Sequence, residues 1–321
     1  MPEIVALGEP MAEFAATERG RLSTVTMFRR GWGGDTSNFI VAASRLGATC
    51  GYLTRVGGDE FGQSFLDLWA REGVDTSGVV VEPGGFTAVY FIALDRDGRH
   101  SFTYYRAGSA ASRLAPQDVA PGALRGARVA HTSGITQAIS DSARAAAVEF
   151  MQAARAHGVA VSYDANVRPR LRPLDEQRVT ITSAFAQADV VFLSSEDAAH
   201  LYGDLTPDGV TARVLERGAR LAVLRQGAAG CLVATADGAR AAVPGWPVEA
   251  VDATGAGDAF NAGFLVEWLR GADVEQAAVF ANAVGALTTL GPGAVAPIPT
   301  RAAVETFMRE MHATREGRRA V

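Results

Sequence analysis

The residues with the clearest chemical meaning are three small residues followed directly by a carboxylate. Gly255, Ala256 and Gly257 precede Asp258, and an apolar segment with helical spacing begins at Phe260. Small residues let backbone N–H groups crowd around an anion, and the positive end of a helix dipole adds to that attraction. A carboxylate beside such a group could take a proton from a hydroxyl while the amides steady a phosphoryl group. The pattern favours phosphoryl transfer, although a glycine-rich turn that binds nothing would have the same residues.

The elements that must position these residues follow an alternating pattern of strands and helices. Helices are predicted over Glu60–Glu72 and Asp141–His157, each followed by a glycine that ends it. Fully apolar strands between helices predict a parallel sheet that is covered on both faces. Ligands of such sheets bind at the carboxyl ends of the strands, where Asp164 and Asp252 should lie. The predicted strands are Ile4–Gly8, Val129–Thr132, Val159–Asp164, Val190–Leu193 and Leu221–Leu224.

Two segments, at about residues 11–30 and 86–107, depart from this rhythm and read as antiparallel strands. Thr87–Leu94 and His100–Arg106 flank a polar turn that contains Asp97 and Gly98, which is a strong hairpin signal. Because the two segments are extended and distant in sequence, we expect them to form a small sheet that projects from the main one.

Strand alternation places Tyr104 and Arg106 on one face of this hairpin. A three-residue loop would set Tyr90 opposite Tyr104, whereas a two-residue turn would pair it with Tyr105; the sequence leaves both registers open. In either case an aromatic patch is joined by a guanidinium. Arginine can hold a carboxylate through two parallel hydrogen bonds, which a neutral sugar does not require.

Composition excludes several classes of protein. The chain has 321 residues, 48% hydrophobic and 20% charged, so it can bury a large core. A net charge of −5 gives no basic surface for nucleic acid, and no apolar segment is long enough to span a bilayer. The N-terminus reads as a buried strand and not as a signal peptide. Cys50 and Cys231 lie in apolar runs, which indicates packed, reduced thiols and a cytoplasmic protein.

The absence of lysine is equally informative, because all 30 basic residues are arginine. A P-loop needs a phosphate-binding lysine, a protein kinase needs a strand lysine, and a Schiff-base enzyme needs an amine. The sequence therefore excludes all three mechanisms.

A second glycine-rich segment completes a recognisable pair of motifs. Gly33 and Gly34 stand before Asn38, ahead of an apolar helical stretch. This segment and the one at Asp258 resemble the paired signatures of the ribokinase-like, or PfkB, carbohydrate kinases, and the resemblance covers nearly the whole chain. It departs at Ala253, where that family usually has Thr or Pro. It implies an α/β ribokinase-like fold in a single domain over 1–321: a doubly wound, mostly parallel sheet with a small β-sheet lid.

Within that family the chain most resembles the 2-keto-3-deoxygluconate kinases. The resemblance implies that Asp258 is the catalytic base and that Gly255, Ala256 and Gly257 form an anion hole. It implies that the terminal hydroxyl of a six-carbon keto acid receives the phosphate. The substrate-binding residues that it implies are Gly34, Asp35, Asn38, Tyr90, Tyr104, Tyr105, Arg106, Arg168 and Asp258.

The resemblance also implies ATP and Mg²⁺ as cofactors. The nucleotide residues that it implies are Asn166, Arg168, Ser194, Arg225, Gly227, Gly230, Gly255, Gly257 and Asn282. Asp197 is a candidate metal residue in a motif that departs from the family, with Ser194 in place of Asn and Asp197 in place of Glu. A monovalent cation near Asp252 and Thr254 is compatible with the family.

The expected partners are a small-molecule sugar acid, ATP and a second copy of the chain bound through the lid, without nucleic acid or membrane. Two alternatives stay open at this point. The chain could be a fructokinase or ribokinase-type kinase of neutral sugars, since the two main signatures do not distinguish substrates. It could also be a protein that binds a sugar or nucleotide without catalysis.

Overall fold

Thirteen strands and ten helices make up the part of the chain that a computed structural model describes, residues 1–94, 100–120 and 122–319. The strands are β1 Ile4–Leu7, β2 Met11–Arg19, β3 Phe28–Gly33, β4 Cys50–Gly57, β5 Val79–Glu82, β6 Val89–Leu94, β7 His100–Tyr105, β8 Val129–Ser133, β9 Ala160–Asp164, β10 Val190–Ser194, β11 Leu221–Arg225, β12 Cys231–Thr235 and β13 Arg240–Val243. The helices are α1 Asp35–Arg45, α2 Glu60–Arg71, α3 Gly134–Ala138, α4 Asp141–Ala156, α5 Leu174–Phe185, α6 Ser195–Tyr202, α7 Pro207–Glu216, α8 Ala256–Leu269, α9 Val274–Thr288 and α10 Arg301–Arg319.

The main sheet has nine strands in the order β13-β12-β11-β10-β9-β8-β1-β4-β5. The five predicted strands are β1, β8, β9, β10 and β11, which lie side by side in this sheet and pair in parallel. The two predicted helices are α2 and α4, and each ends one residue earlier than expected. The strand pattern assigns no bounds to the other four strands of this sheet, of which β12 and β13 pair antiparallel at one edge.

Helices cover both faces of this sheet, as the apolar strands predict. Ile4 of β1 lies in one buried apolar cluster with Phe39 of α1 and Phe264 of α8, whereas its neighbour Val5 lies in a second cluster with Phe150 of α4. A strand that is buried on both faces needs apolar residues at every position, which explains the continuous runs in the sequence. The α/β ribokinase-like fold is therefore confirmed. No described helix has both the length and the apolar character needed to cross a membrane.

The second sheet has the strand order β3-β2-β6-β7. Its central pair, β2 and β6, is parallel, while both outer pairs are antiparallel. Tyr90 lies opposite Tyr104, so the register is the one expected from a three-residue loop. Asp97 and Gly98 lie outside the described residues, and the turn type stays a prediction, as does the role of this sheet as a lid.

The carboxyl ends of the parallel strands gather the candidate residues at one edge of the main sheet. Asp164 is the last residue of β9, Ser194 of β10 and Arg225 of β11. Gly8 and Glu9 follow β1 at the same edge. Position relative to strand ends, and not proximity in sequence, therefore brings these side chains together.

Phe264→Ala tests the packing that fixes α8 on the sheet. Phe264 is fully buried, and its ring meets that of Phe192 edge-on at 5.6 Å. We expect its truncation to lower the free energy of unfolding by about 3–5 kcal/mol, because it removes apolar burial and leaves a cavity. Urea unfolding followed by circular dichroism measures the change. Val179→Ala is the control, since Val179 is 68% exposed; a similar small effect from both variants would contradict this packing.

Candidate active site

The turn that leads into α8 is built around the carboxylate of Asp252. Its Oδ1 accepts hydrogen bonds from the backbone N and the hydroxyl of Thr254 at 2.9 and 2.6 Å, and its Oδ2 accepts one from the backbone N of Gly293 at 2.8 Å. Gly255 then adopts a left-handed φ of 78°, and a Cβ there would lie 2.5 Å from the carbonyl oxygen of Ala294. Only glycine fits where the loops before α8 and after α9 meet. A monovalent cation beside this turn stays a prediction.

The first turn of α8 presents open backbone donors. The amide of Ala256 is used within the preceding turn, at 3.2 Å from a carbonyl oxygen, and that of Ala259 bonds the carbonyl of Gly255 at 2.9 Å. The amides of Gly255, Gly257 and Asp258 have no acceptor among the residues that the structure describes. These donors at the positive end of the helix form the cradle for an anion that the sequence predicts. The predicted anion hole contained the amides of Gly255, Ala256 and Gly257. In the structure the Ala256 amide is already hydrogen-bonded, and the amide of Asp258 is open instead.

The carboxyl group of Asp258 lies beside this cradle in a densely packed, negatively charged environment. Burial raises its pKa from the usual range to about 8, and the nearby charges of Asp35 and Asp164 act in the same direction. A hydrogen bond from Nδ2 of Asn38, at 2.8 Å from Oδ2, and the charge of Arg225 oppose that shift. The residue keeps some exposure, which the predicted role of a base that meets a substrate would require. A carboxyl with this pKa accepts protons more readily near neutral pH than an ordinary aspartate does.

The start of α1 brings a second carboxylate to the site. Gly34 caps the helix with a φ of 98°, and a Cβ there would lie 2.2 Å from the carbonyl oxygen of Glu9. Asp35 Oδ1 then accepts a hydrogen bond from the Thr36 amide at 2.8 Å, and Oδ2 accepts one from Asn166 Nδ2 at 3.1 Å. Burial also raises the pKa of Asp35. The predicted residues Gly34, Asp35 and Asn166 are thus brought together close to Asp258.

Arg225 occupies a different place from the one expected of a phosphate ligand. Its guanidinium is largely buried and pairs with the carboxylate of Asp164 through contacts of 2.9 and 3.1 Å. The same group donates to Asn261 Oδ1 at 2.8 Å and to the carbonyl oxygen of Gly257 at 3.0 Å. The guanidinium of Arg225 therefore connects the first turn of α8 to the end of β9 through hydrogen bonds and an ion pair. Its predicted contact with nucleotide stays a prediction.

The second sheet turns an aromatic face toward the start of α1. The Tyr90 ring stacks on those of Phe102 and Tyr104 with centroids 6.4 and 5.9 Å apart, as strand alternation predicts. The Tyr90 hydroxyl donates to the carboxylate of Glu13, which is buried. Tyr105 lies on the opposite face, 60% exposed and edge-on to another ring of the sheet. The structure therefore does not bring Tyr105 to the site, because adjacent residues of a strand point to opposite faces.

Arg106 follows β7 and reaches the carboxylate of Glu9, which is fully buried. Nη2 of Arg106 donates to Glu9 Oε2, and Ser109 donates to Oε1 at 3.3 Å. Nε of Arg106 is buried without an acceptor among the described residues. Burial raises the pKa of Glu9 even though the charge of Arg106 opposes that effect. Nη2 of the guanidinium is therefore paired with Glu9, whereas the Nε donor is left without a partner in the described part of the chain.

The predicted nucleotide residues lie along the loops after β10 and β11. Gly227 faces open space, while Gly230 packs against the backbone carbonyl of Val243. Asn282 on α9 is buried, and its amide donates to the carbonyl oxygens of Val243 and Pro244 at 3.3 Å each. Asn282 thus joins α9 to the end of β13, and its contact with a nucleotide stays a prediction.

Asp197 does not fit the role of a direct metal ligand. Its Oδ1 accepts a hydrogen bond from the Val167 amide at 2.7 Å, and its Oδ2 accepts two from the amide and hydroxyl of Ser194 at 2.8 and 2.7 Å. These contacts cap α6 and occupy both carboxylate oxygens. Arg168 is exposed, and its guanidinium donates to the carbonyl of Val167 at 2.8 Å. Among the described residues there is no cluster of three or more potential metal ligands.

The sequence reasoning missed three side chains of the site. Glu9 directly follows the first buried strand, so the rule that singled out Asp164 would also have found it. Glu13 stands between Ala12 and Phe14 in the apolar first half of β2, where a buried carboxylate is unusual. Asn261 donates to Asp164 at 2.8 Å from one turn into α8, and nothing in its local pattern indicates this contact.

The chain is similar in both sequence and structure to known carbohydrate kinases. The profile of the pfkB family of carbohydrate kinases matches residues 1–301. The chain is 34% identical over 318 residues to a 2-dehydro-3-deoxygluconokinase of Thermoproteus tenax, covering 97% of this chain and 95% of the relative. It is 33% identical over 315 residues to fructokinase-1 of Oryza sativa subsp. japonica, covering 95% and 97%. An Escherichia coli protein solved with ATP and Mg²⁺ superimposes with a TM-score of 0.90 at 27% identity, covering 97% and 100%.

A doubly wound sheet with a second small sheet, and a carboxylate beside open helix amides, is the architecture of a carbohydrate kinase. The chain belongs to the pfkB family of these enzymes. The two relatives act on different sugars by name, so membership of the family leaves the substrate undetermined.

Asp35→Asn tests the electrostatic origin of the unusual Asp258 carboxyl. Removal of the Asp35 charge should lower the pKa of Asp258 below about 8, because two neighbouring carboxylates resist simultaneous ionisation. Titration of the carboxyl ¹³C resonances measures the shift. Asp204→Asn, on an exposed loop, is the control and should leave the titration unchanged. An unaltered Asp258 titration in Asp35→Asn would contradict this electrostatic coupling.

Proposed function

We propose that this enzyme transfers the terminal phosphate of ATP to the terminal hydroxyl of a sugar acid, most specifically 2-keto-3-deoxygluconate. The product is then the 6-phosphate of that keto acid. Membership of the pfkB family supports the kinase activity, and the 2-dehydro-3-deoxygluconokinase of Thermoproteus tenax supports this substrate class.

The observation that carries the proposal is the face formed by Tyr90, Tyr104 and Arg106. A buried guanidinium with an open Nε is suited to a carboxylate, since arginine holds such groups through charge-assisted hydrogen bonds. The stacked tyrosine rings beside it give an amphipathic wall for the carbon chain and keto group of the substrate. The acid end would lie under the second sheet, and the terminal hydroxyl would point toward Asp258.

Proton transfer in this mechanism is the task of Asp258. The terminal hydroxyl oxygen attacks the γ-phosphorus of ATP, the bond to ADP breaks, and the hydroxyl proton passes to the carboxylate. Asn38 orients that carboxylate through its hydrogen bond at 2.8 Å. The open amides of Gly255, Gly257 and Asp258 would bind the phosphoryl oxygens, whose charge must be stabilised as the bond to ADP lengthens.

ATP enters this proposal as its magnesium complex. The Escherichia coli relative that was solved with ATP and Mg²⁺ supports it. Since both oxygens of Asp197 are already hydrogen-bonded, the ion would be held by phosphate oxygens and water, as Mg²⁺ often is in proteins. Ser194 and Arg225 would act on the nucleotide through the loops that they stabilise.

Phosphorylation of a neutral ketose is the second candidate function. Arg106 already has a partner in Glu9, so the site does not require an anionic substrate. The fructokinase of Oryza sativa is as similar to this chain as the keto-acid kinase is. A protein that only binds sugar or nucleotide would need no base beside an anion cradle.

The proposal extends to assembly and location. The exposed aromatic rings of Phe86 and Tyr105 would suit a contact between two copies of the chain through the lid sheet. Cys50 and Cys231 are free and buried, as suits a cytoplasmic enzyme.

Asp258→Asn tests the assignment of the base. The variant should retain binding of ATP and sugar while its kcat falls by about 10²–10⁴-fold, because the amide keeps the shape of the side chain but takes no proton. Release of ADP measures turnover, and isothermal titration calorimetry measures binding. Asp204→Asn serves as the control. Substantial turnover by a correctly folded Asp258→Asn enzyme would remove this assignment.

Arg106→Gln distinguishes the two substrate classes. Loss of a charge-assisted contact worth about 1.5–3 kcal/mol should raise KM for the keto acid roughly tenfold to a hundredfold. The KM for fructose should change far less, since a neutral sugar has no carboxylate. The assay compares keto acids, ketoses, ribose and nucleosides by ADP release, with the exposed Arg309→Gln as control. Equal effects on the keto acid and fructose would favour a neutral-sugar kinase.

A further inference from the structure

We propose that Glu9 determines how the site selects the charge of its substrate. In this scheme the carboxylate of an acidic sugar takes the place of Glu9 on the Arg106 guanidinium, and Glu9 takes up one proton from solvent as it is displaced. A neutral sugar leaves the Glu9–Arg106 pair intact and binds without a proton. The inference rests on the proposed sugar-acid kinase activity and adds a residue that none of the substrate motifs includes.

The geometry makes Glu9 an internal competitor for the substrate. Its backbone is fixed where Gly34 packs against its carbonyl oxygen, and its side chain is completely buried. Nη2 of Arg106 donates to this carboxylate, whereas the buried Nε has no acceptor in the described part of the chain. A carboxylate that approached the open Nε would form its second hydrogen bond with Nη2, the atom that Glu9 uses.

The surrounding charges disfavour two ionised carboxylates on one guanidinium. Arg106 and the neutral hydroxyl of Ser109 face Glu9 from the segment after β7, and Asp35 faces it from the start of α1. Tyr52 faces it from β4, and burial raises the pKa of that phenol well above its usual range, so it stays neutral and adds no charge of either sign. Arg106 is therefore the cation nearest to Glu9, and an incoming carboxylate would leave the group with a net negative charge. Buried charges in excess of their partners neutralise by protonation.

Glu9 is the group best placed to take that proton. Burial already raises its pKa while it is paired with Arg106, and loss of that pairing would raise it further. The Ser109 hydroxyl, 3.3 Å away, donates to the ionised carboxylate and can rotate to accept a hydrogen bond from the protonated one. The exchange adds one proton to Glu9, adds one carboxylate to Arg106 and breaks no covalent bond.

Proton-coupled binding gives the two substrate classes different pH dependences. Affinity for the keto acid should rise as pH falls, by at most about tenfold per pH unit, wherever Glu9 is ionised before binding and protonated after it. Affinity for fructose should stay nearly constant over the same range.

Isothermal titration calorimetry in phosphate and Tris buffers, which have different ionisation enthalpies, counts the protons taken up. The titrations use 2-keto-3-deoxygluconate and fructose, in an Asp258→Asn background that removes the titration of the base. We expect close to one proton per keto acid bound and none per fructose. Adding Glu9→Gln should abolish proton uptake and flatten the pH dependence of keto-acid affinity. Ser109→Ala is the matched control, because it keeps the carboxyl group and should retain proton uptake.

The outcomes separate this inference from the proposed function on which it rests. Keto-acid binding with unchanged proton uptake in Glu9→Gln would overturn the role of Glu9 and leave the sugar-acid kinase standing. Phosphorylation of fructose with no binding of the keto acid would overturn both. Thermal melting identifies any variant that fails to fold. If Glu9→Gln fails, Glu9→Asp, whose shorter carboxylate reaches Arg106 less well, should bind keto acid more tightly and take up less than one proton. Weaker keto-acid binding by Glu9→Asp would overturn the competition.

Discussion

The site depends on holding the carboxyl group of Asp258 in a mostly buried position beside other carboxylates. Burial and the charges of Asp35 and Asp164 make its ionised form costly, while Asn38 and Arg225 offset part of that cost. The balance gives a group that accepts a proton readily and yet stays in place. An ordinary surface aspartate would be a weaker base, and a buried one without Asn38 and Arg225 would have its pKa raised further.

Arg225 both contributes to this electrostatic balance and fixes the position of α8. Its guanidinium contacts Asp164 at the end of β9, Asn261 on α8 and the carbonyl of Gly257. The first turn of α8 is therefore tied to the sheet by side chains as well as by packing. Because the same cation also lowers the energy of the ionised Asp258, the position and the basicity of the base are linked.

The sequence predicts the sheet well and the contacts at its edge less well. Strands such as β9 and β10 are apolar at nearly every position because both faces are buried, and this signal is local. The edge strand β13 has four residues of which only alternate ones are buried, so it carries no comparable pattern. Arg225 and Asp164 are far apart in sequence and form an ion pair only because the fold brings them together. A sequence motif can therefore locate each residue but cannot predict their contact. Alternation alone places Tyr105 on the far face of the second sheet once the register is known.

The parallel pairing of β2 with β6 has a consequence for how the protein is made. β2 emerges early from the ribosome with β3, but its other neighbour, β6, follows only after α1, β4 and α2 have been synthesised. Until then one edge of that early hairpin exposes unpaired backbone groups, which are prone to associate with other chains. The second sheet, with the aromatic face proposed to bind the substrate, is thus completed only after an interval of exposure during translation, when a holding chaperone would matter most.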